Sequence, residues 1–221
     1  MLIKKVVSMS RPRLTFVLSD LATKVCYLGP AVMVAADTIT IALNRTVSPF
    51  KQTISGFATG PDGWLERVGM AIIALSFFLM ALNLLTSKKK NQARIIKIAG
   101  LLLVIVAVGF LMLSIFNTNV IGTIISFHGL VHQISSAAVS IVFYIACLIL
   151  MRLMIKRPGL RLFGIYCGVT FVVGIIVFIL LAAGFYQNVY TGLMERGIAG
   201  FNLVWIVLVG PQVIKLDGEK E

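Results

Sequence analysis

FHGLVHQISSAAVSIVFY, residues 127–144, opens with the only two histidines of the chain, His128 and His132, and runs on into a long apolar segment. The polar residues continue inward as Ser135, Ser136 and Ser140. In a helix, residues four apart lie about 40° round from each other. His128, His132, Ser136 and Ser140 therefore form a slowly winding ridge, with Ser135 between the histidines on the same side. A helix surrounded by lipid has no use for such a ridge. The stretch is expected to face the inside of a helical bundle, near one membrane surface.

Working outward, the composition of the whole chain agrees. Of its 221 residues, 59% are hydrophobic and 13% charged, with a mean hydropathy of +1.00. Soluble domains run roughly 45–50% apolar and about 25% charged. The expected fold class is all-α, an integral membrane bundle with no room for a separate soluble domain. A net charge of +12 could suggest nucleic acid. The lysines and arginines instead gather in short stretches between apolar runs, where they set topology and meet anionic lipid. No nucleic-acid partner is expected, and membrane lipids are.

Six apolar runs follow one another, at residues 24–44, 66–85, 95–116, 128–151, 160–184 and 195–213. Each approaches the roughly 20 residues that span a hydrocarbon core. Residues 1–23 form a basic arm with Lys4, Lys5, Arg11 and Arg13 against the single acid Asp20. Its apolar piece at 14–18 is too short for the core of a signal peptide. The loops at 88–94 and 152–161 are also basic, whereas the other connections hold little beyond Arg45, Lys51, Arg67 and Arg196. Cytoplasmic loops carry the excess of lysine and arginine. The expected organisation is a cytoplasmic arm (1–23), a transmembrane domain of six helices (24–213) and a charged cytoplasmic tail (214–221), in the plasma membrane.

That orientation gathers His128, His132, Asp62, Glu66, Glu195 and Arg196 at the extracytoplasmic end, with Trp64, Tyr186 and Tyr190 at the same level. Asp37 lies inside the first span, where an acid costs roughly 2.5–3.5 kcal/mol on insertion scales. Its expected partners are His132 or Arg196. Glu195 and Arg196 open the sixth span, and Asn202 lies on the same helix face as Glu195. The helix dipole accounts for Glu195 but not for Arg196. The candidate site is therefore Asp37, His128, His132, Glu195 and Arg196. Zinc or another divalent metal on His128 and His132 would need Asp37, Asp62, Glu66 or Glu195 to complete three or four ligands. Haem is not expected, because two histidines on one helix face cannot grip an iron from both sides.

Glycines at 56, 60 and 63 around Pro61 fix turns in a loop that could lie over the site. No Lys-Ser/Thr follows them as in a phosphate loop. Gly164/Gly168 and Gly197/Gly200 read as small-residue faces for helix packing. Cys26, Cys147 and Cys167 are far apart, form no C-x-x-C pair and read as small buried hydrophobes.

With SGFATGPDGW in the outer loop, FHGLVH entering the fourth span and MERG at the sixth, the chain resembles a prokaryotic membrane family known as domain of unknown function 998. The resemblance covers about 24–213. It implies a six-helix integral membrane protein and brings no established activity. A more distant likeness, at fold level, is to the eukaryotic Frag1/DRAM/Sfk1 group of six-helix, lipid-related proteins. The G-x-S-G of a rhomboid protease and the serine-glycine-histidine core of membrane lipid phosphatases do not occur. The H-x-x-x-H pair matches the ceramidase-like membrane hydrolases only in part, since here it is on the fourth helix. The leading expectation is a site that binds or modifies a lipid headgroup or small amphiphile. A proton-coupled transporter, or a non-catalytic assembly or sensor protein, stands beside it.

Overall fold

The computed structural model describes residues 11–87, 93–119, 124–183 and 190–216. Its elements are α1 (Arg11–Leu43), a single turn α2 (Ile54–Phe57), α3 (Trp64–Leu85), α4 (Ala93–Ile115), α5 (Phe127–Met154), α6 (Arg161–Ala182) and α7 (Thr191–Lys215). A 3-10 turn at Pro158–Leu160 leads into α6. All but α2 hold a segment long and apolar enough to cross a membrane, six in total among the described residues. Helices are the form such runs must take, because hydrocarbon offers no water to the backbone and every N–H and C=O needs an internal partner.

The observed spans match the apolar runs within a few residues at most ends, with one clear difference. The first helix does not begin near residue 24 but already at Arg11, and it is 33 residues long. At 1.5 Å per residue that is about 50 Å, well beyond a core of about 30 Å. Its first turns are polar enough to project beyond the hydrocarbon, where Lys24 pairs with Asp20 at 2.7 Å. Residues 1–10, Lys88–Lys90, Tyr186 and the tail after Leu216 lie outside the described residues.

The helices close into a ring in which α1 packs on α3, α3 on α4, α4 on α5, α5 on α6, α6 on α7 and α7 back on α1. A contact of α3 with α7 crosses the ring. Lipid tails are as apolar as leucine, so burial of apolar area drives this association weakly and close packing has to carry it. Two seams show how. Gly69 of α3 lets α1 approach until a methyl group there would stand 2.6 Å from the Met33 sulfur. On α6, Gly164 lies against the Ile155 backbone and Gly168 against Met151, as the small-residue spacing suggests. In mid-bundle Phe77, Phe110, Phe143 and Trp205 join α3, α4, α5 and α7, with ring centroids 5.6 Å apart for Phe77–Phe110 and 5.0 Å for Phe143–Trp205. The outer surface carries Leu28, Leu101, Val172 and Ile179, all more than half exposed to the surroundings, which in a membrane is lipid.

This topology gives the bundle two unlike ends. The C-terminal ends of α1, α4 and α6 meet the N-terminal ends of α3, α5 and α7, together with α2. The opposite end collects Arg94, Arg152, Lys156, Arg161 and Lys215. There Arg157 Nη1 donates to the Leu216 carbonyl at 3.3 Å and ties the end of α7 to the turn before α6.

Candidate functional site

The mouth is built around Arg196, in the second turn of α7. Its Nε and Nη2 donate to the two oxygens of Asp37 at 2.9 and 2.8 Å, the two-pronged geometry that suits guanidinium to carboxylate. Its Nη1 donates to the carbonyls of Pro49 and Gln52, both at 2.7 Å, and to Gly192 at 3.3 Å. The guanidinium carbon stands 5.3 Å over the Phe57 ring. Of the two partners expected for Asp37, the ion pair is with Arg196.

The loop between α1 and α3 is folded to make these contacts possible. Thr53 caps α2, its hydroxyl oxygen accepting from the Gly56 N–H at 2.8 Å. The Ile54 N–H, first in α2, donates to Glu195 Oε2 at 3.0 Å. Leu193 N–H donates to the Phe50 carbonyl at 3.1 Å. At Gly192, α7 and this loop approach closely, since a Cβ there would collide with the Gln52 and Pro49 carbonyl oxygens. Ile54, Phe57 and Ala58 are buried, so the loop turns inward as part of the fold.

Glu66, in the first turn of α3, is fully buried. It lies against Asp37, within electrostatic reach of Arg196 and Glu195. Its hydrogen-bond neighbour is the Asp37 carboxyl, and no N–H or hydroxyl of another residue reaches either of its oxygens. Three carboxyl groups, Asp37, Glu66 and Glu195, thus surround one arginine. The sequence did carry a sign of this: Glu66 shares a helix face with Gly69, Met70, Ile73 and Phe77, all but one of them apolar and all buried.

Below the mouth is a cavity of about 320 Å³ to which α1 to α7 all contribute. Asp37, Ser55, Glu195 and Arg196 line its upper part. His132, Ser136 and Ser140 of α5 continue the polar wall, and Tyr144 meets Asn202 near mid-depth. The remaining wall is apolar, with Met33, Ile73, Phe77, Phe110, Phe143 and Ile206. The Asn202 Oδ1 is buried with no donor. Gly197 and Gly200 do not pack against another helix as their spacing suggested; a Cβ on either would meet nothing within 4 Å, and Gly200 lines the cavity.

The two histidines part company. His132 is buried and its Nδ1 lies 2.8 Å from the Phe116 carbonyl. A carbonyl can only accept, so Nδ1 carries the proton and Nε2 is left as an acceptor. His128 is exposed, its ring 5.2 Å from that of Phe116, and it is not among the cavity-lining residues. Ser135 is buried and also stands outside the lining. Among the described residues no group of three or more His, Cys, Asp or Glu is arranged to hold a metal ion, so His128 and His132 gain no third ligand. All three cysteines are buried and unpaired.

The chain belongs to the family described as "Protein of unknown function (DUF998)", whose model matches residues 27–211. No curated protein and no solved structure matches it significantly.

Proposed function

We propose that this member of a membrane family without an established activity binds an amphiphile, head at the mouth and apolar chain in the body of the bundle. One observation supports this above others: a single cavity of about 320 Å³ is polar at one end and along α5, and aromatic or aliphatic elsewhere. Ligand sites for small molecules have this character, mostly apolar with a few placed polar groups. The volume suits one chain with a small head. The basic residues at the opposite end favour a cytoplasmic placement for that end, and hence an extracytoplasmic mouth in the plasma membrane.

A cavity-filling variant tests the reading. Gly200 lines the cavity and has open space where a side chain would go, so Gly200→Phe should fold as well as the parent and fill the site. Mass spectrometry of native nanodiscs should find a copurifying amphiphile with the parent chain and lose it with Gly200→Phe. An equal yield from both would sink the proposal. Orientation is read by labelling His128→Cys, since the native cysteines are buried. Labelling from the cytoplasmic side alone would overturn the extracytoplasmic placement.

A proton-coupled carrier is the second reading, favoured by the fully buried Glu66 against Asp37. Proton movement in proteoliposomes should then disappear in Glu66→Gln, and unchanged movement would remove this alternative.

A further inference from the structure

We infer that the head of the ligand is a cationic hydrogen-bond donor, a protonated amine on an apolar chain. The inference rests on the amphiphile reading above and narrows it. Arg196 is the only lysine or arginine among the described residues that line the cavity, and it looks at first like a receptor for phosphate or carboxylate. Four of its five N–H groups are already engaged. Nε and Nη2 hold Asp37, and Nη1 holds the Pro49, Gln52 and Gly192 carbonyls. Among the described residues, an anionic head would be left with one Nη2 N–H, on a guanidinium whose charge is already paired with Asp37.

What the cavity still offers is acceptors. Glu195 lines it, accepting from the Ile54 and Ser55 N–H groups with lone pairs of its carboxyl to spare. His132 gives its Nδ1 proton to Phe116 and keeps an acceptor nitrogen on a ring that lines the cavity. Deeper in, Asn202 Oδ1 is buried with no donor. Glu66 lies behind Asp37 and is not among the cavity-lining residues, so the acceptors open to a ligand are those of Glu195, His132 and Asn202. A buried polar group without a partner marks a place where a partner is expected. An ammonium carries three donors and a positive charge, and it suits a wall that offers acceptors and a carboxyl group.

The test uses the full chain in phosphatidylcholine nanodiscs with octylamine, octyl phosphate and 1-octanol, which share a chain and differ in head. Trp205 is the reporter, because it stands 5.0 Å from the cavity-lining Phe143; Trp64→Phe, at an exposed position, removes the other tryptophan. Gly200→Phe subtracts simple partition into the bilayer. Octylamine should bind about tenfold more tightly than octanol, the scale of one charge-assisted hydrogen bond, and octyl phosphate no more tightly than octanol. Glu195→Gln keeps an acceptor for the Ile54 N–H and should bring octylamine to within about threefold of octanol. Octyl phosphate binding as tightly as octylamine, or octylamine no better than octanol, overturns the inference while leaving the amphiphile reading intact. Undiminished amine preference in a folded Glu195→Gln also overturns it. If no probe binds, the amphiphile reading falls and takes this inference with it. Adding phosphatidylethanolamine then assigns the source: competition identifies a membrane lipid amine, and unaltered octylamine binding identifies a free amphiphile, both upholding the inference.

Discussion

Two polar clusters share the mouth of this bundle, and they differ in how far their hydrogen bonds are closed. Around Arg196, five contacts join α7, α1 and the loop, so the charge is built into the architecture. Along the cavity Asn202 Oδ1 meets no donor and His132 keeps an acceptor nitrogen, while buried Glu66 meets only the Asp37 carboxyl. A charge that is fully partnered holds a fold together, while an acceptor left open in a low-dielectric interior destabilises it unless something else arrives. The comparison separates structural from ligand-facing groups that are otherwise alike in type and depth.

The comparison breaks most readily at Arg196. Arg196→Met should lower stability by about 3–5 kcal/mol, because it leaves Asp37 and the Pro49 and Gln52 carbonyls without their donor. Thermal unfolding in detergent reads this, and Asp37→Asn added to Arg196→Met should recover part of the loss. A change within error in the single variant would mean that the cluster is not structural.

Glu66 predicts the opposite sign. Glu66→Leu removes a buried carboxyl whose neighbour is another carboxyl, Asp37, and it should raise stability by about 1–3 kcal/mol. A loss of similar size would show that Glu66 has a stabilising partner and belongs with Arg196. His132→Phe comes next. It leaves the Phe116 carbonyl without its donor and should cost about 1 kcal/mol, a smaller effect than at Arg196 because a single bond is lost. The smallest effect belongs to His128, which is exposed; His128→Ala should stay within about 0.5 kcal/mol in the same unfolding assay. A large loss there would restore the histidine pair as a unit.

The number of spans and their places were readable because hydrophobic run length answers directly to the thickness of the bilayer. Most of the residues at the mouth were readable too, since a polar group inside a span stands out against the apolar background. Their roles were not. The histidine spacing gave His128 and His132 equal weight, yet the turn joining α4 to α5 sets one against the Phe116 carbonyl and leaves the other exposed. The glycines at 197 and 200 looked like a packing stripe, but which face of α7 meets α1 is a property of the closed ring. Tyr144 passed as one more aromatic in an apolar run until α7 brought Asn202 beside it.

By itself, then, the sequence determined that this chain is a bundle of six membrane-crossing helices with polar residues gathered toward one end, because composition and run length act locally. Only the tertiary structure decided that Arg196 belongs to Asp37 and to two loop carbonyls, that Glu66 is buried against Asp37, and that the ridge on α5 looks into a cavity. Those outcomes depend on which groups of distant segments come within about 3 Å of each other, and hydrogen-bond closure over that distance is what separates a structural charge from an open one.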